Sequence, residues 1–442
     1  MGTTNAKGSN YAWAIAIACI AFYAVPLGFM ANHAGLFLTP VINEFGWSQT
    51  EASLYMSIQP WVAAICTPIA GKLLSKYNPR WIMTGAAAVF SLSSLACAWF
   101  TAPWQWHLYG VLYGASAAFW MYIATPTMVN RWFAKSNGTV LGVIGVVCSL
   151  LGAIMSPIIG GWITAYGWQT ARIICGIITA VLSIGLTAAL LRESPEKMGV
   201  LPWGYGETSE AKAKAASKWE VGPEDGCMQK QAMKSPALWG LILMAGLFVI
   251  SASFIQQVAR YANVNAAFGT EAAAIGAMAV SIAMYASIAG KFGLGWIADH
   301  FGAKVSGITA GVLGLAGAAV IMVSGGSVMM FYLGVAFFGF GYAALNIVPP
   351  MTCRQAFGQK DYANIFAIVA TGLNVFSGFS ALIYATLFDV TGGYQAAMVM
   401  MIVFYAVIIV LSLSIVPLGR KLWAKKDFLA RATSFAEAAN ST

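Results

Sequence analysis

Long apolar runs succeed one another from residue 11 to residue 417, at about 11–38, 49–75, 80–100, 104–133, 137–164, 168–191, 236–260, 271–297, 303–323, 327–354, 362–388 and 393–417. Most exceed the roughly 20 residues that a helix needs to cross a bilayer. Inside hydrocarbon every backbone N–H and C=O must find its partner within the chain, so such runs are helices. A transmembrane β-barrel would show segments of about ten residues with alternating polarity, and these are absent. With 59% hydrophobic and 9% charged residues, 442 residues hold too little polar surface to coat a soluble protein. The expected fold class is all-α and polytopic, with 12 transmembrane helices.

The net charge of +9 invites a nucleic-acid reading, but its distribution describes topology instead. Of 24 Lys and Arg, all but Arg172, Arg260 and Lys291 (24 − 3 = 21) fall in the tails or in alternate loops. Positive loops face the cytoplasm, which predicts both termini on the cytoplasmic side of the cytoplasmic (inner) membrane. No nucleic-acid partner follows. Seven cysteines stand singly, with no CxxC pair, and only three His occur, far apart. Neither a metal site, a cofactor nor a catalytic cluster is expected, so the chain does not read as an enzyme. The first apolar run continues as a span and does not read as a cleavable signal.

The polar stretch 192–235 divides the spans six and six, giving bundles at 1–191 and 236–417, a cytoplasmic linker between them, and a basic tail at 418–442. Three matches at nearly one offset point to duplication. Gly71 to Arg80 after span 2 matches Gly295 to Lys304 after span 8, offset by 224. Arg131 and Arg354 end spans 4 and 10, offset by 223, and Gly167-Trp168-Gln169 and Gly393-Tyr394-Gln395 precede spans 6 and 12, offset by 226. Two pseudo-symmetric six-helix bundles are the consequence.

The turn Gly295-x-x-x-Asp299-x-x-Gly302-x-Lys304, with its degenerate copy after span 2, resembles the loop signature of the major facilitator superfamily. Asn130-Arg131-Trp132-Phe133, Phe45-Gly46-Trp47-Ser48 and Gly167-Trp168 are similar to its oxalate/formate antiporter and monocarboxylate transporter branch. The resemblance implies the major facilitator fold, alternating access, and a cytoplasmic gating role for Gly71, Arg80, Arg131, Gly295, Asp299, Gly302, Lys304 and Arg354. Ordinary topology charges are the plainer reading of the basic ones. Ser75 stands where that signature carries an acid in its first copy, which weakens any charge lock there.

Lys291 lies within an apolar run, where a charge costs on the order of a few kcal/mol. Two readings stand: it faces a water-filled cavity as the countercharge of an anion, or it snorkels to the surface. Related carriers place a cation at this position for the substrate carboxylate, and the resemblance favours the cavity. No Asp or Glu lies near the middle of a span, and Ser287 occupies the place of a carboxylate found in relatives. Carboxylate-based proton coupling is therefore not expected, unless His33 or the substrate carries the proton. Ala370 replaces the second cation of the dicarboxylate exchangers, which suits a monocarboxylate.

Tyr342 and Asn346, four apart, share a face on a continuous helix and offer donors to an anion; helix packing is their bland alternative. Tyr122 matches a substrate-facing aromatic of the branch or packs in the core. Asn32 and His33 sit in the outer half of span 1, lining the cavity or marking the interface. The expectation is a secondary transporter of small organic anions, exchanger or symporter, with lipid and a carboxylate as partners and a monomer sufficing. The alternatives are an efflux carrier for larger amphipathic compounds and a non-transporting membrane sensor.

Overall fold

The computed structural model describes residues 10–133, 137–203, 226–358 and 360–423. Among them no strand forms, and twelve helical rods follow one another. These are α1 Tyr11–Phe45, α2 Gln49–Lys76, α3 Pro79–Trp99, α4 (103–132), α5 (137–166) and α6 (168–190). Then come α7 (236–264), α8 Ala272–Phe301, α9 Ala303–Val323, α10 Val328–Phe357, α11 Tyr362–Thr391 and α12 Gln395–Arg420.

Among the described residues, nine segments are by themselves long and apolar enough to cross a membrane. One of the nine, Val140–Leu190, is two rods broken at Gly167 (φ 81, ψ 160). A side chain at that φ would be strained, so glycine turns the chain there. The rods α2 and α4 dilute their apolar residues with Gln, Ser, Tyr and Trp, which suits helices with inward-facing polar groups. Side chains such as Trp81, Val181, Phe292 and Val410 are exposed around the outside, whereas Ser57, Ser281, Gln257 and Arg172 are buried. That inversion of the soluble pattern is what a lipid surround requires.

The rods α1–α6 form one half and α7–α12 the other. Two seams join them, α2 against α11 and α5 against α8. Exchanging rods 1–6 with 7–12 converts one seam into the other, as the pseudo-twofold expected from duplication demands. A further repeat match emerges in the packing. A Cβ on Gly114 of α4 would meet the carbonyl of Gln59 on α2 at 2.3 Å, and a Cβ on Gly339 of α10 would meet that of Ala283 on α8 at 2.4 Å. These pairs are offset by 225 and 224. Small residues at both places let the backbones touch, which is how helices associate where lipid removes the hydrophobic drive.

The two ends of the molecule differ. Tyr11 reaches the carbonyl of Leu190, Trp203 that of Trp132, and Trp423 that of Ala356, so the chain's described termini and both edges of 204–225 share one end, called here the tail end. At the opposite, far end, Gly46 (φ 69) closes α1 and Ser48 caps α2 in a box with Glu51. Phe45 stacks on Trp47, and the Trp168 indole and Gln169 amide both donate to Glu44. The segment Phe45-Gly46-Trp47-Ser48 is thus a helix stop and start pinned to the α5–α6 turn.

Candidate functional site

Lys291 is ten residues, about 15 Å at 1.5 Å per residue, from the tail end of α8. Its ammonium crosses the α5–α8 seam, donating to the carbonyl of Gly145 at 3.0 Å and to Ser149 Oγ at 2.6 Å. The geometry is that of a bridge between halves, not of a side chain reaching along its own helix to the surface. Two of three ammonium donors are used, both on neutral oxygens. Among the described residues no carboxylate lies at salt-bridge distance. Ser287, one turn back on α8, donates to the Met284 carbonyl at 2.8 Å and lies 3.2 Å from Ser149 Oγ. On the other side of α8, a Cβ on Gly290 would meet the Cβ of Ala343 on α10 at 2.9 Å. The cation therefore joins α8 to α5, and α10, which carries Tyr342, packs beside it.

One turn farther along α5, Gly152 meets α1 and α8 together. His33 is fully buried, with Nδ1 2.9 Å from the carbonyl of Phe29 and Nε2 2.9 Å from that of Gly152. Only an imidazolium can donate to both; a neutral ring serves one. Asn32 is also buried, its amide 3.8 Å from the Met284 sulfur. The supporting stretch of α1 is wound as π-helix over Ile20–Ala24 and Pro26–Met30, a widening that often marks functional segments. Lys291, Asn32 and His33 are thus gathered around residues 145–152, with Tyr342 on the neighbouring α10. Asn346 is not set on the same continuous helix as Tyr342, because α10 opens into a turn at 345–347, and Asn346 is exposed there. Tyr122 falls in the π-helical part of α4, with its side chain outside the described residues.

The motif residues gather at the tail end. Gly302 (φ 91, ψ 161) turns α8 into α9, and the Gln355 amide oxygen caps the freed N–H of Ala303 at 2.8 Å. Asp299 and Lys304 are exposed on either side of that turn, and Arg354 is half-buried at the end of α10. Gly71 lies within α2; Gly295 lies within α8, and a Cβ on Gly295 would meet nothing within 4 Å. Arg80 donates to the carbonyl of Ala188 at 2.6 Å, and Arg131 reaches that of Glu193 at 3.5 Å.

Two groups escaped the reading from sequence. At the far end, Gln49 donates to Gln257 at 3.0 Å and receives Arg260 Nε at 3.2 Å, while Tyr394 donates to Gln257 at 2.9 Å. Arg172, one of the three cations outside the tails and loops, is 1% exposed. The described hydrogen bonds between the halves all lie at Lys291 or beyond it toward the far end, including Ser156 to Ala277 at 2.7 Å and Asn263 to Thr39 at 3.2 Å. The far end is closed.

Comparison with known proteins agrees with this architecture. The profile of a family described as Major Facilitator Superfamily matches residues 18–284. The chain is 27% identical over 217 residues to a Mycobacterium tuberculosis protein named multidrug resistance protein B homolog, covering 46% of this chain and 38% of that relative's length. It is 21% identical over 313 residues to the glycerol-3-phosphate transporter of Bacillus subtilis, covering 66% and 68%. The fold is shared with the solved nucleoside transporter NupG, at TM-score 0.70 and 10% identity over 93% of this chain and 99% of that one.

Proposed function

Because this chain belongs to the major facilitator superfamily, we propose that it is a secondary transporter moving small organic anions, a monocarboxylate by preference, across the cytoplasmic membrane. One observation carries the anion class: Lys291 holds an ammonium in the seam between the halves on neutral oxygens alone. A half-buried charge without a countercharge is costly, and an anion arriving there removes that cost. Tyr342 stands by as a hydroxyl donor.

The same geometry supplies a coupling. While the site is empty, the Lys291 ammonium ties α8 to α5. A carboxylate is a stronger partner than a hydroxyl or a carbonyl. Taking the ammonium weakens the tie to Gly145 and Ser149, so binding loosens one seam between the bundles 1–191 and 236–417, which the linker 192–235 joins. Basic loops put the tail end in the cytoplasm, and a closed far end then corresponds to the inward-facing state. The Bacillus subtilis relative named for glycerol-3-phosphate, itself an anion, supports the class.

Uptake of a panel of labelled carboxylates into proteoliposomes, with and without internal counter-substrate, tests the reading. Saturable uptake that Lys291→Gln abolishes is expected; equal uptake by the variant overturns it. A second reading, export of larger amphipathic compounds, is favoured by the similarity to the Mycobacterium tuberculosis relative. It would show as dye extrusion indifferent to Lys291→Gln.

A further inference from the structure

Arg172 lies one turn into α6 and is buried. Nε donates to the carbonyl of Ser94 on α3 at 3.2 Å. Its Cζ lies 5.1 Å from the ring centroid of Phe37, 5.4 Å from that of Trp106 and 5.3 Å from that of Tyr109. Such an aromatic seat attracts a guanidinium but does not neutralise it. Nη2 is buried with no hydrogen-bond partner, and among the described residues no carboxylate lies at salt-bridge distance. Arginine cannot shed its proton to relieve this.

The side chain lines a cavity of about 30 Å³ together with Tyr55 and Gln59 of α2, Tyr109 and Tyr113 of α4, and Gln256 of α7. That is room for more than one water, which needs about 10–15 Å³ by the same measure. Besides apolar residues such as Met30 and Met56, the lining residues include amides and phenols, groups that donate to oxygen anions. The lining also comes from both halves, since Gln256 belongs to the second and the others to the first.

We propose that this cavity is a second anion station, separate from Lys291, that takes the carboxylate head of the transported anion on the far side of the seam. Arg172 supplies the charge, and the amides of Gln59 and Gln256 supply orientation. Because an anion there touches both halves, its binding favours the closed far end. The assignment rests on the reading of the chain as an anion carrier.

The test uses the full-length protein and potassium acetate, reading the acetate-dependent rise in Tm. Lys291→Gln removes the first station, so the rise that remains in this variant reports the second. In that background Arg172→Gln abolishes the rise, and Gln59→Ala, which leaves the cation and its aromatic seat intact, weakens the apparent acetate affinity about tenfold, as expected for a lost hydrogen bond to a charged ligand. If Arg172→Gln does not fold, Gln59→Ala decides alone. The proposal is overturned if Lys291→Gln shows no acetate response while the wild type does, or if Gln59→Ala leaves the affinity within twofold. Potassium chloride giving the whole effect overturns the carboxylate assignment. A wild type that neither responds to nor transports any carboxylate removes the anion-carrier reading itself, which the uptake panel shows independently.

Discussion

Asp389, near the end of α11, caps the helix that begins at Gln49 in the other half. One carboxylate oxygen accepts the backbone N–H of Gln49 at 3.2 Å, the other accepts that of Thr50 at 3.0 Å and its hydroxyl at 2.6 Å. The first turn of a helix carries unpaired donors and a partial positive charge, which an anion satisfies. A cap normally belongs to its own chain segment, as Ser48 does for Glu51 here. Borrowing a cap from the opposite half makes the stability of α2 depend on far-end closure. The cluster of Gln49, Gln257, Arg260 and Tyr394 next to it extends the same lock.

Replacing Asp389 by Ala should therefore open the far end without unfolding either bundle. A lost charged cap costs about 1–2 kcal/mol, enough to shift a near-balanced equilibrium by about tenfold. A cysteine introduced at Thr39, which pairs with Asn263 across the closed far end, should then react several-fold faster with a membrane-impermeant thiol reagent. Unchanged reactivity means that Asp389 caps α2 without holding the gate.

Gly35 gives the complementary test. A Cβ at this position would sit 1.9 Å from the carbonyl oxygen of Gln256, a backbone atom with no side-chain freedom to yield. Gly35→Ala should disfavour the closed far end, lowering turnover by more than tenfold while the variant expresses and melts normally. Turnover within twofold of wild type would show that α1 and α7 need not touch during the cycle.

These contacts also show what the sequence could and could not reveal. Lys291 was legible because a charge inside an apolar run is anomalous without knowing any neighbour. The duplication was legible because loop motifs repeat at one offset. Arg172 was not: five residues past Gly167 it resembles a helix-end charge, and only packing shows that Phe37, Trp106 and Tyr109 enclose it. The expected end of span 1 at residue 38 fell short for a related reason. Thr39 and Glu44 are polar, yet α1 continues to Phe45 because they pair with Asn263 and with Trp168 and Gln169. The spacing of Tyr342 and Asn346 assumed an unbroken helix, which the turn at 345–347, just ahead of Pro349 and Pro350, interrupts. The far-end lock joins residues more than 200 apart, a pairing that local pattern does not encode.

Proton coupling should be absent or should run through His33. The acidic residues described here sit at span ends or outside the spans, and Ser287 occupies the seam position next to Lys291. His33 faces two carbonyls, so protonation completes both bonds and deprotonation releases one, to Phe29 or to Gly152. A pH gradient imposed on proteoliposomes without counter-substrate should drive no accumulation, or only a component that His33→Gln removes. Strong accumulation surviving that substitution would mean that a group outside this cluster carries the proton.

Lys291 and Ser149 should respond with opposite signs. Lys291→Ala and Lys291→Gln both remove the cation, so transport should fall to background and carboxylate binding to the component held at Arg172. A neutral amide cannot balance an anion in a site of low dielectric. Each variant also loses the ties to Gly145 and Ser149, so melting should drop slightly, by about 1–2 kcal/mol for two hydrogen bonds with one charged partner. Lys291→Arg should retain partial activity, because the charge persists while the planar fork changes the geometry. Ser149→Ala leaves the cation in place and removes one of its competitors. If the substrate must draw the ammonium away from α5, this variant should bind carboxylates a few-fold more tightly, about 1 kcal/mol for one released hydrogen bond. Tyr342→Phe should weaken binding by a similar amount in the other direction. Equilibrium binding of a labelled carboxylate to the purified variants measures all of these changes. Tighter binding in Ser149→Ala together with only the Arg172 component left in Lys291→Gln is the pattern of a lysine shared between the seam and the substrate. Weaker binding in Ser149→Ala would instead make the serine a direct ligand and the seam contact incidental.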